Sequence, residues 1–282
     1  HNRKRLSTLP MACLRKLCLA AVFTASAAVG VMAYAGQAAG VAHASVSATA
    51  QVEKFVTSSV VRDPSSYEAL VFRASKEKMP LLLYLHGAGE MHGNLKGIIS
   101  EGATGTPPVE LTYGRALPIL SDGFAVVAPH TDEGWVLQKI VAFLDFLLSE
   151  RSGLELDPCR LYVTGHSMGG AGALLAATSR RFAAAVPVAA SGAPPAQQLE
   201  GVPIWAFHSS NDVVVPSYVS EQLVRELRLA ASEEQVKLSL FESAPAPPGW
   251  PEYVGHGSTI PAYATAQLYE WLLQQKLDGC SA

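Results

Sequence analysis

The feature that most constrains the fold is an alternation of short apolar runs with longer helix-like patterns, which begins near residue 51. The runs are rich in β-branched and aromatic side chains, as expected of strands that are buried on both faces. They cover residues 55–61, 69–72, 81–85, 124–128, 161–164, 184–189, 204–207 and 236–241. The alternation predicts an α/β fold over residues 50–278, a doubly wound, mainly parallel sheet that forms a single domain.

Helical periodicity separates several of these runs. Apolar residues between Val136 and Leu147 recur at intervals of three and four, which places them on one face of a helix. A similar pattern runs from Ala264 to Leu272, and a further helical stretch covers residues 218–231. Pro187 does not fit the pattern of its own run, because proline cannot donate a ladder hydrogen bond, and it counts against a central strand there.

The first 44 residues follow the pattern of a targeting segment. Basic residues up to Lys16 precede an apolar stretch at 17–35, and Ala42-His43-Ala44 has the form of a signal-peptidase site. We expect residues 1–44 to be a cleaved leader that directs the domain to the cell exterior or to an organelle lumen. The acid-free composition also suits an organelle transit peptide, and residues 17–35 are long enough to act as an uncleaved membrane anchor.

Charge and cysteine content limit the partners. Residues 45–282 contain 16 basic and 24 acidic residues, so we expect no nucleic acid and no membrane as a partner of the mature domain, while its oligomeric state stays open. Cys159 and Cys280 are expected to be unpaired thiols, although an oxidising compartment would allow them to form a disulfide. Since the chain has no Cys-x-x-Cys motif and no cluster of His and Cys, we expect no metal and no cofactor.

The clearest chemical motif is Gly165-His166-Ser167-Met168-Gly169, between a strand-like run that ends at Thr164 and an Ala/Leu-rich helix at 171–177. The pentapeptide alone is common by chance, but a strand before it and a helix after it are the context of a nucleophile elbow. Glycines at both ends let the strand and the helix approach closely, so that the serine hydroxyl projects above the sheet. Ser167 is therefore the candidate nucleophile.

A serine nucleophile needs a base and an acid that orients the base. In hydrolases built on this elbow, the acid and then the histidine follow the serine along the chain. Asp212 follows the run at 204–207, and His256 lies in a loop before the last helix, so Ser167, Asp212 and His256 are predicted to form a catalytic triad. The other histidines of the domain, apart from His86, are interpreted as structural or solvated: His92, His130, His166 and His208.

A turn of small residues, His86-Gly87-Ala88-Gly89, follows the run at 81–85. Its backbone N–H groups can point into the site and, together with the N–H of Met168, stabilise the oxyanion of a tetrahedral intermediate. We expect His86 to orient this loop by hydrogen bonding rather than to act as a base.

These motifs carry a family resemblance. From residue 81 onward the chain resembles the α/β-hydrolase superfamily, and within it the phospholipase/carboxylesterase group of serine esterases, which includes proteins described as predicted peptidases. The resemblance rests on LYLHGAGE at 83–90, GHSMGG at 165–170, FAAAVP at 182–187, WAFHxxxDxxVP at 205–216 and LYEWL at 268–272. It implies an α/β-hydrolase fold, the same three triad residues, and Ala88 and Met168 as the oxyanion donors.

The chain departs from the family pattern at two places. Ser209 stands where the family usually has a glycine after the histidine, which concerns the local turn. The segment at 243–253, before the candidate base, is longer and richer in proline than the family pattern, so that side of the site is expected to be unusual.

Together these features predict a carboxylic ester hydrolase that acts on a small-molecule ester through an acyl-enzyme. Thioester and peptide cleavage stay open as alternatives, because the triad does not choose between leaving groups. A non-catalytic binding protein with a hydrolase fold is less favoured, since such a protein is expected to lack a triad member and none is missing.

Two segments are predicted to border the substrate pocket, at 91–117 and 243–253, with Trp135 and Trp250 among its lining side chains. Neither segment contains a long amphipathic helix, so we expect an open site for short-chain or bulky polar esters.

Overall fold

Eight strands form one sheet in the computed structural model, which describes residues 57–73 and 78–280. The strands are β1 Thr57–Arg62, β2 Glu68–Arg73, β3 Met79–Leu85, β4 Ala125–Pro129, β5 Leu156–His166, β6 Ala184–Val188, β7 Ile204–Ser209 and β8 Val236–Phe241. Their order in the sheet is β1-β2-β4-β3-β5-β6-β7-β8. The pairings of β1 with β2 and of β2 with β4 are antiparallel, and the remaining pairings are parallel. This confirms the predicted doubly wound, mainly parallel sheet.

Helices cover both faces of the sheet. They are α1 Asn94–Ile98, α2 Pro107–Thr112, α3 Pro118–Gly123, α4 Leu137–Leu148, α5 Met168–Ala177, α6 Tyr218–Leu227, α7 Thr259–Tyr263 and α8 Ala266–Gln274. In the central strand β3, Leu81 and Leu83 pack in a core with α4, α5 and α6, while Leu82 and Tyr84 pack in a second core with the other helices. Because successive side chains of a strand point to opposite faces, a strand buried on both sides must be apolar throughout.

The run that contains Pro187 is a central strand, β6, although proline counted against it. Pro187 lies opposite Gly165 in the ladder with β5. On the other side, the paired residues of β6 and β7 are Ala185 with Ile204 and Val188 with Phe207, so Pro187 falls between two pairs. The backbone N–H groups of Ala185 and Ala189 donate towards β7, and the missing N–H of Pro187 therefore removes one bond from a ladder that the flanking residues maintain.

The expectation of two unpaired thiols is wrong. Cys159 and Cys280 form a disulfide with their Cα atoms 5.8 Å apart and a sequence separation of 121. After α8 the chain returns to the start of β5, where the N–H of Leu277 donates to the carbonyl of Cys159 at 3.0 Å. Sequence spacing alone could not show this return.

The predicted leader, residues 1–44, lies outside the described residues, as do Phe55 and Val56 of the predicted first strand. Among the residues that are described, no helix combines the length and the apolar character needed to cross a membrane. The motif residues lie where parallel strands end: His86 follows β3, Ser167 follows β5 and Asp212 comes shortly after β7. Loops at this edge form the binding crevice of open α/β sheets.

Candidate active site

Ser167 occupies the turn between β5 and α5. Its φ of 55° and ψ of −114° form a backbone conformation that costs about 1–3 kcal/mol for a residue with a side chain. Two hydrogen bonds hold this turn, from the N–H of Ser167 to the carbonyl of Val188 at 2.9 Å and from the N–H of Ser191 to the carbonyl of Ser167 at 3.1 Å. A strained turn between a strand and a helix is the geometry of a nucleophile elbow.

The glycines beside the serine are required by close backbone contacts. A Cβ atom at Gly169 would lie 1.9 Å from the carbonyl oxygen of Leu85, and one at Gly165 would lie 2.4 Å from the carbonyl oxygen of Gly169. Both distances are far below van der Waals contact. Glycine at these positions therefore allows α5 to begin directly against β3 and β5.

The candidate acid and the candidate base contact each other. Nδ1 of His256 and Oδ2 of Asp212 lie 2.9 Å apart, and both side chains are buried. The other carboxylate oxygen, Oδ1, accepts the backbone N–H groups of Val214 and Val215, each at 2.9 Å. Burial acts to raise the pKa of Asp212, but hydrogen bonds from His208, His256 and Val215 outweigh it and hold the pKa well below its usual range. Asp212 is thus an ionised carboxylate that can fix the tautomer of His256.

His208 contacts the candidate acid directly, a role that its interpretation as structural or solvated did not identify. The side chain is buried in the last residues of β7, and its Nε2 lies 3.3 Å from Oδ2 of Asp212 and 2.9 Å from the carbonyl of Val215. A carbonyl can only accept, so Nε2 carries a proton. In the sequence, only the spacing of four residues between His208 and Asp212 could have indicated this contact.

His166 is the second residue whose role the sequence did not identify. Its Nε2 donates to the carbonyl of His256 at 2.8 Å, and the two imidazole rings lie 4.6 Å apart. Burial, followed by the charge on His256, lowers the pKa of His166 to about 3, so its ring is neutral near pH 7. His166 therefore positions the loop of the base without adding a charge beside it.

His86 orients the small-residue loop, as expected. Its Nδ1 donates to the carbonyl of Gly87 at 2.7 Å, and its Nε2 accepts the N–H of Thr131 at 3.1 Å. Burial lowers the pKa of His86 to about 4, which keeps this neutral tautomer. Ala88 then lies exposed in the turn, while Met168 is the first residue of α5, a position whose N–H has no acceptor within the helix.

Comparison with known proteins identifies the fold. A scan of the chain against family models finds no match. A thermostable esterase superimposes with a TM-score of 0.60 at 26% identity, over 78% of this chain and 63% of that protein. A protein described as a dienelactone hydrolase from Klebsiella pneumoniae gives a TM-score of 0.56 at 16% identity, over 78% of this chain and 100% of that one. The chain has the α/β-hydrolase fold.

The similarity in sequence to a curated protein is more limited. Hydrolase pyiE from Pyricularia grisea is 29% identical over 116 residues, which are 40% of this chain and 24% of that protein. The chain thus spans about a quarter of that relative and less than two thirds of the esterase.

A cavity of about 310 Å³ joins the parts of the candidate site. Ser167 and His256 line it together with Ala88 of the small-residue loop. Both segments predicted to border the pocket contribute to it, Gly102 from 91–117 and Trp250 from 243–253. A larger open groove, of about 970 Å³, lies at the opposite edge of the sheet and contains none of the triad residues.

The two candidate pocket tryptophans have different positions. Trp250 lines the cavity, is 41% exposed and stacks on Tyr253 with ring centroids 5.2 Å apart. Trp135 is not among the described residues that line the cavity. Its Nε1 donates to the carbonyl of His86 at 3.0 Å, and its ring packs so closely on α5 that a Cβ atom at Gly172 would lie 2.7 Å away. Trp135 thus supports the loop at His86 from the core side.

Proposed function

We propose that this α/β-hydrolase is a serine esterase, which cleaves carboxylic esters of small molecules through an acyl-enzyme. The observation that carries the proposal is the bond of 2.9 Å between Asp212 and His256 beside a cavity that His256 shares with Ser167 at a strained elbow. The alternative of a non-catalytic binding protein gives no reason to maintain this strain together with a buried acid–base pair.

In the proposed reaction, Nε2 of His256 takes the proton of the Ser167 hydroxyl as its oxygen attacks the ester carbonyl. The backbone N–H groups of Ala88 and Met168 stabilise the oxyanion that forms. The intermediate collapses as His256 returns the proton to the leaving alcohol. A water molecule, activated by His256 in the same way, then hydrolyses the acyl-enzyme and releases the acid and free Ser167.

An ester is the favoured substrate for two reasons. The solved structure with the higher identity quoted above, 26%, is described as an esterase. The cavity, of about 310 Å³ and lined in part by the stacked rings of Trp250 and Tyr253, has a size that suits a small-molecule ester.

A fluorophosphonate probe and an ester panel test the proposal. The probe should label the wild type, and the Ser167→Ala variant should lose both labelling and ester hydrolysis while it remains folded. Equal labelling of the alanine variant would exclude Ser167 as the nucleophile. Labelling of the wild type together with turnover of thioesters or peptides, and not of oxygen esters, would retain the serine hydrolase and reject the esterase.

We also infer that the domain works in an oxidising compartment. A disulfide such as Cys159–Cys280 persists there and is rare in the cytosol. Together with the predicted leader, it supports delivery to the cell exterior or to an organelle lumen. Sequencing the N-terminus of protein from its native source should give a start near Ser45, whereas a leader retained in membranes after carbonate washing would favour the anchor.

A further inference from the structure

Glu90 places an unpaired carboxylate oxygen at the cavity that Ser167 also lines. Among the described residues, five buried side-chain polar atoms have no hydrogen-bond partner, and one of them is Oε2 of Glu90. The residues that carry the other four do not line the active-site cavity, whereas Glu90 does. Buried polar atoms in proteins are nearly always paired, so an unpaired one at a binding cavity calls for a partner from the ligand.

The space in front of this oxygen is kept open by a glycine. A Cβ atom at Gly87 would lie 3.1 Å from Oε2 of Glu90 and 3.5 Å from Nδ1 of His166. Since Nε2 of His166 donates to the carbonyl of His256 and the ring is neutral, Nδ1 of His166 carries no proton. Both groups that face this space are therefore acceptors, and they match a ligand that brings a hydrogen-bond donor.

The positive charge that His256 acquires during the proposed reaction determines which kind of hydrogen-bond donor fits. Burial is the largest influence on the pKa of Glu90 and raises it, while the charge on His256 acts in the opposite direction. His256 must become an imidazolium during the proposed reaction, and an ammonium group held at Glu90 would repel it. A hydroxyl group satisfies the acceptor without adding a positive charge.

We propose that Glu90 is a specificity-determining residue that accepts a hydrogen bond from a hydroxyl group of the substrate, so that the enzyme prefers hydroxylated esters over plain esters of the same length. This inference rests on the proposed esterase function. A hydrogen bond to a carboxylate corresponds to a preference of about 10- to 100-fold in kcat/KM. The hydroxyl can lie on the acyl side or on the alcohol side of the scissile bond.

Matched pairs of esters test the proposal on both sides of the bond. Ethyl 3-hydroxybutyrate is compared with ethyl butyrate, and 2,3-dihydroxypropyl butyrate with propyl butyrate. The wild type should prefer the hydroxylated member of at least one pair by about 10-fold or more. Glu90→Met should reduce the ratio of kcat/KM values within that pair towards unity, and Glu90→Gln, which keeps an acceptor oxygen, should retain part of the preference. Glu270→Met makes the same substitution on the exposed side of α8 and should retain the full preference.

Three results would overturn the proposal: equal rates within both pairs, a stronger preference for ethyl 3-aminobutyrate than for the hydroxy ester, and an equal loss of plain and hydroxylated ester hydrolysis in Glu90→Met. Fluorophosphonate labelling separates this failure from failure of the esterase proposal. A wild type that is labelled and hydrolyses esters without a hydroxyl preference rejects only the role of Glu90, whereas one that is neither labelled nor active rejects the proposed function. Labelling of both Glu90 variants shows that they are folded.

Discussion

Nε2 of His208 lies 3.3 Å from Oδ2 of Asp212, the same carboxylate oxygen that Nδ1 of His256 approaches to 2.9 Å. Two histidines therefore share one oxygen of the acid, while its other oxygen is held by backbone N–H groups. The carboxylate cannot rotate without breaking several hydrogen bonds. Its orientation, and through it that of His256, is thus determined before a substrate binds.

His208→Phe should reveal this positioning role. The substitution retains an aromatic ring but removes the N–H that steadies Asp212, so kcat should fall by about tenfold or more while KM changes little. Measuring kcat and KM separately for an ester substrate checks this. Ser220→Ala removes only the partner of His208 Nδ1, at 2.8 Å, and should have a smaller effect. Full activity of His208→Phe, or a change confined to KM, would contradict the role.

Asp212→Asn should abolish most activity without preventing folding. An amide in this position holds His256 in the wrong tautomer, and the expected loss is on the order of 10⁴ in kcat. Asp132→Asn is the matched control, because Asp132 has a side chain that is 71% exposed and lies 3.9 Å from His130. It should lose far less activity, and the reverse ranking in an ester assay would reject Asp212 as the acid.

Buried neutral histidines should make the folded state sensitive to acid. The pKa of His166 is lowered to about 3 and that of His86 to about 4, from an ordinary value of 6.5, because burial disfavours the charged ring. Below pH 6.5 the unfolded chain binds protons that the folded chain does not. The free energy of unfolding should therefore be highest above that pH and decrease on acidification, by up to about 1.4 kcal/mol per pH unit for each histidine.

Urea unfolding between about pH 7.5 and about pH 4.5 measures this slope. A His166→Asn variant should show a shallower dependence than the wild type, since one of the two groups is removed. An identical slope in both proteins would show that His166 is protonated in the folded state as easily as in the unfolded chain.

Trp250→Ala should alter selectivity and leave the chemistry intact. The ring lines the cavity but does not contact the triad through any hydrogen bond of the described residues, so labelling by the fluorophosphonate probe should persist. Across a series of esters with graded acyl and alcohol groups, relative kcat/KM values should change by about tenfold, the size of a pocket contact of 1–3 kcal/mol. An unchanged profile would exclude Trp250 from the binding site.

Removal of the disulfide should lower stability more than activity. Cys280→Ala opens a loop of 121 residues, and the expected loss in the free energy of unfolding is about 2–5 kcal/mol. Cys159 lies eight residues before Ser167 along β5, which at the rise of a strand is about 25 Å from the site. Urea unfolding of the wild type and the variant measures the difference in the free energy of unfolding. Similar values for the two proteins would show that the disulfide does not stabilise the packing of α8 and the residues that follow it.

The sequence by itself determined the fold class and the three triad candidates, because both depend on local chemical rules. Apolar runs such as residues 81–85 must be buried on both faces, and strand, turn and helix around Ser167 can be read from neighbouring residues. Asp212 and His256 were identified as the other two candidates because they follow Ser167 in the order acid, then histidine. Each of these rules uses only the types of residues and their order along the chain, so it can be applied without a tertiary structure.

Only the tertiary structure decided which distant residues meet. The pairing of Cys159 with Cys280, the contact of His208 with Asp212 and the support that Trp135 gives to the loop at His86 join segments in ways that neither periodicity nor spacing specifies. The same holds for Glu90, whose oxygen is left unpaired in the cavity by the packing around Gly87. A side chain acquires its partners only when the sheet and its helices bring the ends of separate strands together, and its burial and charge state then follow from that environment.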